Sequence, residues 1–566
     1  MSKSNSEKGI FLNRRQALLL SATAAAGLTL SRSASASDSV KTGVHQEPGN
    51  CSTPRTAVAK TQYGKVRGFV DGGVYTFKGV PYGQTTAGEN RWLPAMAPAP
   101  WKDEYPALIY GGNCPQTLHD WTGIEQTFIQ DWDDGYQSED MLKLNIWTPS
   151  LSGSRPVMFY IHGGGFSFGS SYELPSHEGA QMARHHDVVQ VSVNHRLNVL
   201  GFFDASEIGG SPYEDSVNVG MTDLVAALNW VRENISNFGG DPNNVMIYGQ
   251  SGGGSKVTTL MGMPAAVGLF HRASVQSGGG GNIPTKEQQR EVARQLMKDL
   301  GLPSNDIVSL QKMEWSRLVA AGDAAAAKIN PAMHGPRSFF SGPSRVGWVP
   351  CLDGKNINLR SFYDAAPDVS KNVPMLIGSV SEEGNHMLTN PTEAEWRAEL
   401  TEVYGGEKAN AIVDTLKAEY PEKKIQTLAF MCPSHFGLNT LSMRNNVVKM
   451  AKLKHEQNAA PAYTYYFTWQ TPILDAIPGA WHTAELQFCF DNTKRCEQGT
   501  GNTPEAQALA RKMATAWSNF ARTGNPSQPG VNWEPTDPDT NKTLIWDNDI
   551  RMQNDPESKA RKILLS

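Results

Sequence analysis

The chain reads as an α/β protein: a mostly parallel central sheet flanked by helices, with helical insertions over one edge. Three observations predict it. Apolar, β-branched runs alternate with helical sequence from Val157 onward, and that alternation builds a parallel sheet covered by helices on both faces. Glycines and reactive polar residues gather directly behind the apolar runs, at the sheet edge where α/β proteins hold their ligands. The 566 residues, 39% hydrophobic and 19% charged, have the composition of a globular protein with a large core. No internal repeat and no linker interrupts residues 37–566, which read as a single domain.

The first 36 residues stand apart from that domain. Arg14-Arg15 precede an apolar stretch from Ala17 to Leu30, and Ala34-Ser35-Ala36 offers small residues for cleavage. The paired arginines resemble a twin-arginine export signal, which implies a bacterial protein that is periplasmic or secreted after cleavage near Ala36. The stretch is shorter than the roughly 20 residues of a spanning helix and no second long apolar run follows, so no stable membrane insertion is expected. Without residues 1–36 the formal net charge moves from −5 to −9. An acidic chain with no later run of Lys or Arg is a poor partner for nucleic acid. All six cysteines lie beyond Ala36, in a compartment that permits disulfides, and Cys489 and Cys496 either close a small loop or stay as two thiols. No ligand spacing calls for a metal, and no cofactor is expected; His185-His186 reads as a solvated helix end.

Residues 37–56, rich in Ser, Thr, Pro and Gly, form a flexible lead-in. Gly64 to Gly68 and Val74 to Phe77 then read as short strands, the antiparallel start of a sheet. Leu142 to Trp147, Val157 to Ile161 and Val188 to Val193 follow as strands, with helical sequence around Gly179 to His185 between the last two. Asp223 to Asn237 is the clearest helix: Leu224, Leu228, Val231 and Ile235 share a face, and Gly239-Gly240 stops it. Val245 to Tyr248, Ser274 to Gln276, Pro374 to Ile377 and Ala462 to Thr468 complete the strands. Residues 285–350 and 390–455 lack the strand pattern and read as mainly helical insertions, packed over the functional edge and lining a substrate gorge.

Behind Val245 to Tyr248 comes Gly249-Gln250-Ser251-Gly252-Gly253, a strand, a sharp turn and the start of a helix. Strand and helix approach each other too closely for a Cβ two residues either side of the serine, so Ser251 is the candidate nucleophile. Gly165-Phe166-Ser167-Phe168-Gly169 repeats the spacing, but it starts four residues past an apolar run and no helical pattern follows, so Ser167 reads as a loop serine. A serine hydroxyl needs a base within reach, itself oriented by a carboxylate. Of thirteen histidines, His482 follows the Ala462 to Thr468 strand, whereas His435 and His455 sit in polar helical sequence. Chain order leaves both Glu382 and Glu383 open as the carboxylate; neighbours in extended sequence point to opposite sides, so only one reaches the imidazole. The glycines of Gly163-Gly164-Gly165, at a strand end, let backbone N–H groups approach a developing oxyanion.

These motifs, with Phe77-Lys78-Gly79-Val80-Pro81-Tyr82, Ser138-Glu139-Asp140, Asn194-His195-Arg196-Leu197, Glu382-Glu383-Gly384, Glu485 beyond His482, and Gly524-Asn525-Pro526, resemble the type-B carboxylesterases, the family of carboxylesterases and cholinesterases. The resemblance spans nearly the whole chain beyond residue 36. It implies the α/β-hydrolase fold and hydrolysis of a small-molecule carboxylic ester through an acyl-enzyme. It further implies Ser251 as nucleophile, Glu383 as the acid because it precedes Gly384, His482 as base, and Gly164, Gly165 and Gly252 as oxyanion donors. Glu382 is then expected to be partly solvated. Met141 stands where the family usually has Cys, so Cys114 is expected to be a free thiol. Gln250 and Gly252 replace the Glu and Ala that flank the nucleophile of cholinesterase-like members, so neutral esters are expected over cationic choline esters. Fold alone does not fix function, and a non-catalytic cholinesterase-like binding protein, or an amidase or thioesterase on the same triad, are the alternatives. No motif fixes the acyl or alcohol part of the substrate or an oligomeric state.

Overall fold

The computed structural model describes residues 56–117, 124–329, 346–384, 390–432 and 439–566. Residues 1–36, read from the sequence as an export signal, Cys51 and His435 lie outside them. Eleven strands build the main sheet: β1 Phe69–Asp71, β2 Val74–Pro81, β3 Lys143–Thr148, β4 Arg155–Ile161, β5 Val189–Val193, β6 Gly240–Gln250, β7 Arg272–Gln276, β8 Met375–Val380, β9 Ala462–Phe467, β10 Lys542–Trp546 and β11 Arg551–Asn554. Their spatial order is β11-β10-β9-β8-β7-β6-β4-β5-β3-β2-β1. Strands β5, β4 and β6 to β10 run parallel to one another, and the pairs flanking them, β5-β3, β3-β2, β2-β1 and β10-β11, are antiparallel. Sequence order reverses where β4 lies between β5 and β6, the kind of switch point beside which open α/β sheets place ligands.

Side chains along the central strands divide between two cores with the period of two that a strand imposes. Val157, Phe159 and Ile161 of β4, with Val245 and Ile247 of β6, pack with Leu224, Leu228 and Val231 on one face. Met158, Tyr160, Met246 and Tyr248 pack with Met513, Trp517 and Phe520 on the other. Burying each such Leu, Ile, Phe or Met contributes about 1.5–3 kcal/mol relative to exposure. Both faces are covered, which is why β5 and β8 are buried at every residue and apolar along most of their length.

Every strand read from the sequence is present, with changed ends. The Gly64–Arg67 strand departs from expectation: it pairs with Val58–Thr61 and Tyr105–Pro106 in a separate small sheet. The helix expected to reach Asn237 spans Val219–Asn234 and tightens into a 3-10 turn over Ile235–Phe238. Gly239 ends that turn at φ 76°, and a Cβ on it would stand 2.2 Å from the Ser150 carbonyl oxygen. Strands β1, β10 and β11 and the twenty-residue helix Pro504–Thr523 have no counterpart in the sequence reading. β11 is exposed and polar, so it carries no alternation to read.

Both insertions are mainly helical where described. The first holds Lys286–Leu300, Ile307–Lys312 and Trp315–Ile329, and the second Glu393–Tyr404, Gly406–Glu419, Ile425–Met431 and Thr440–Glu456. The second reaches the functional edge: Thr440 Oγ1 donates to Ser381 O at 2.9 Å, and Asn446 Nδ2 donates to Gly279 O at 2.8 Å. Among the described residues no helix is long and apolar enough to cross a membrane. The five described cysteines are buried and none is bonded to another; Cys114 Sγ accepts the Leu197 N–H at 3.2 Å. His185 and His186 do end a helix, Ala180–His186, but only His185 is solvated: His186 lies 3.5 Å from Asp491 with its side chain largely covered.

Candidate active site

Parallel pairing in register brings the ends of β4, β6, β7, β8 and β9 to one edge. Ile161 lies opposite Gly249, Gln250 opposite Gln276, and Gln276 opposite Gly378, which in turn faces Tyr465. The segments that follow these strands carry the glycine run, Ser251, Ser277 with its glycines, the Glu382-Glu383 pair and His482.

Ser251 occupies the turn between β6 and the Gly252–Gly262 helix at φ 59° and ψ −124°, a conformation that costs a non-glycine residue about 1–3 kcal/mol. The turn is held from both sides. The Ser251 N–H donates to Gln276 O at 2.8 Å, and its carbonyl accepts the Ser255 N–H at 3.1 Å. A Cβ on Gly249 would stand 2.6 Å from Ile161 O, and one on Gly253 would stand 2.1 Å from the same atom, so both glycines are steric requirements. Ser167 instead closes the 3-10 turn Gly164–Phe166, donating its N–H to Gly164 O at 3.0 Å, away from any strand-to-helix corner.

That 3-10 turn is the glycine loop. Gly164 and Gly165 take φ 74° and 60°, left-handed values that any side chain would strain, and both remain half-exposed. A Cβ on Gly252 would come within 2.4 Å of Gly165 N and 2.6 Å of its Cα, so the first residue of the Ser251 helix is packed against the loop backbone. Gly164, Gly165 and Gly252 are thereby brought together beside Ser251.

Glu383 and His482 meet at this edge. Glu383 Oε2 lies 2.5 Å from His482 Nδ1, its other oxygen accepts the Val380 N–H at 3.1 Å, and the carboxylate is fully buried. Thr440 Oγ1, from the second insertion, accepts the Glu383 N–H at 3.0 Å. Glu382 corrects the expectation of partial solvation: it has no exposed surface and ion-pairs with Lys423. It accepts the Ala480 N–H at 2.6 Å and gives its own N–H to Ala480 O at 3.2 Å, which ties the acid's loop to the segment carrying His482. Lys423 lies in the second insertion, whose position over the edge was legible only in outline. His455 is exposed at a helix end and takes no part.

Two further side chains complete the surroundings. The Gln250 amide nitrogen lies 3.2 Å from His482 Nε2, so an uncharged group stands where a carboxylate would add a second negative charge beside the imidazole. Glu485 is fully buried and accepts from Gln276 Nε2 at 3.4 Å. Burial, then the neighbouring Glu383 carboxylate, pushes its pKa up to about 8. Lys256, Thr440 and Lys423 escaped the sequence reading; only Lys256 left a signal, as the sole charge in a helix of small and apolar residues.

The arrangement is a serine at a strained turn, a carboxylate–imidazole pair and a glycine loop, the parts that acyl transfer requires. A family model described as the carboxylesterase family matches residues 55–563. Para-nitrobenzyl esterase of Bacillus subtilis is 33% identical over 90% of this chain and 98% of its own length. Phenmedipham hydrolase of Pseudarthrobacter oxydans is 30% identical over 85% of this chain and 92% of its own. Among solved structures, an esterase from Clostridium hathewayi superimposes with a TM-score of 0.75 at 31% identity, covering 91% of this chain and 99% of that one. With fold, edge chemistry and a family match over nearly its whole length in agreement, the chain belongs to the carboxylesterase family and is a carboxylic ester hydrolase of the α/β-hydrolase fold.

Proposed function

We propose that Ser251 attacks the ester carbonyl while His482 takes its proton, and that the tetrahedral oxyanion is held by the N–H groups of Gly164, Gly165 and Gly252. His482 then returns the proton to the leaving alcohol, and the acyl-enzyme is hydrolysed by a water that the same histidine activates. Glu383 fixes the imidazole with Nδ1–H towards itself, leaving Nε2 as the base, and stabilises the imidazolium that forms. The observation that carries the reading is that Glu383 meets His482 at 2.5 Å, that His482 lies 3.2 Å from the amide of Gln250, the residue before Ser251, and that the Gly165 backbone packs against Gly252, the residue after it. A non-catalytic binding protein would have no need of a strained serine beside a complete acid–base pair.

The neutral Gln250 amide supports an uncharged ester as substrate, and relatives named for para-nitrobenzyl esters and for aliphatic aromatic polyesters support an aromatic part in it. Covalent trapping tests the nucleophile. An organophosphate is expected to abolish hydrolysis of a neutral chromogenic ester at one equivalent, with the adduct mapped by mass spectrometry to Ser251; an adduct on Ser167 would refute the assignment. Residues 1–36 are proposed as a twin-arginine export signal. The protein isolated from a bacterial periplasm should begin at Ser37, and an intact Met1 to Ala36 segment on the exported protein would remove the proposal.

A further inference from the structure

Lys256 is the only charged residue in the Gly252–Gly262 helix, and it is fully buried. Its ammonium group donates to two carbonyls of the glycine loop, His162 O at 3.0 Å and Gly163 O at 3.1 Å, and lies 5.5 Å from the centre of the Phe166 ring. Burying an ammonium group is costly, and either carbonyl could have been satisfied by a hydroxyl at no such cost. The choice of acceptor is informative. The Gly163 carbonyl belongs to the same peptide unit as the Gly164 N–H, so a cation bonded at the oxygen end draws electron density from the N–H end and strengthens it as a donor.

We propose that Lys256 is a positioning residue for ester hydrolysis: acting through the Gly163–Gly164 peptide, it aims and polarises an oxyanion-binding N–H and ties the glycine loop to the helix that carries the nucleophile. The proposal rests on the reading of Ser251 and Gly164 given above. It requires the N–H to matter most when negative charge develops, so the lysine should act on kcat and hardly on KM. The titratable groups facing Lys256 are Glu173, Cys114, His162 and His195. Burial holds both histidines well below their ordinary range, so they are neutral, and pushes the Cys114 thiol far up. Burial likewise lowers the Lys256 pKa, and the Glu173 carboxyl opposes that shift. With a lowered pKa the charge is present at acid pH and fades as pH rises, while the amine keeps its hydrogen bonds.

Removing a direct oxyanion donor costs about 10²–10³ in kcat, and a residue acting one peptide away should cost less, about 30-fold, or about 2 kcal/mol. The experiment compares Lys256→Met and Lys256→Gln with the full-length wild type from pH 6 to 9, well below each unfolding temperature, with Ser251→Ala as control. Expected are a kcat loss of about 30-fold in both variants at pH 6, KM within about threefold, and a wild-type-to-variant ratio that narrows as pH rises. A Lys256→Gln enzyme within about threefold of wild type at pH 6, a ratio that does not change with pH, or loss of the fold in both variants would each overturn the proposal, by leaving the lysine as a tether without a polarising charge or as a structural necessity. An active Ser251→Ala variant would instead overturn the reading of the site itself.

Discussion

A Ser251→Ala variant is expected to lose about 10⁵–10⁶ of kcat on any ester substrate while keeping its fold. The nucleophile has no substitute in the site: the hydroxyl of Ser167 lies in the glycine loop's own turn, and Ser167→Ala should keep most of the activity. The residual rate of Ser251→Ala comes from the glycine donors and from substrate binding, which leave triad enzymes about 10³–10⁴ above water when the triad is removed. Stability is not expected to change, because alanine bears the same Cβ at φ 59° and the bonds that hold the turn run through the backbone, to Gln276 O and from the Ser255 N–H. The measurement is kcat on a neutral chromogenic ester, with denaturation midpoints for both variants. Substantial turnover by Ser251→Ala, or a collapse of activity in Ser167→Ala, would sink the assignment.

The second large effect separates two neighbouring carboxylates. Glu383→Gln should reduce kcat by about 10³-fold or more, because the imidazole loses the acceptor that fixes its tautomer and the charge that stabilises its protonated form. Glu382→Gln should show the opposite pattern. Its carboxylate is the fully buried partner of Lys423 and the acceptor of the Ala480 N–H, whereas the Glu383 carboxylate is the one held 2.5 Å from the imidazole. Breaking a buried pair while leaving one charge behind costs about 3–5 kcal/mol, so Glu382→Gln should lower the denaturation midpoint clearly. Assayed below that midpoint, its kcat should stay within about tenfold of wild type, a loss of about 1.4 kcal/mol in transition-state binding. A larger kcat loss at Glu382 than at Glu383, measured on folded protein, would reverse the two roles.

Strands β2 to β9 and the position of Ser251 were legible because local sequence decides them. A parallel strand covered on both faces must be apolar along its length, and a strand-to-helix corner needs glycine wherever a Cβ would strike Ile161 O. The opposed directions of adjacent side chains left Glu382 and Glu383 as alternatives, and the family resemblance selected Glu383. Exposed β11 went unread because a polar edge strand has no periodicity to show.

What the sequence determined by itself was therefore the central strands of the sheet, the edge they end at and the serine, histidine, acid pair and glycines placed there. Only the tertiary structure decided their electrostatic surroundings. Lys423 reaches Glu382 and Thr440 reaches Glu383 from an insertion about 40–60 residues further along the chain, and Lys256 meets carbonyls of a loop 93 and 94 residues earlier. Side-chain direction and backbone sterics are set by near neighbours in sequence. Desolvation and ion pairing are set by whatever the fold packs alongside, which is why a glutamate read as partly solvated is buried and paired, and why a lone helical lysine proves to hold the glycine loop.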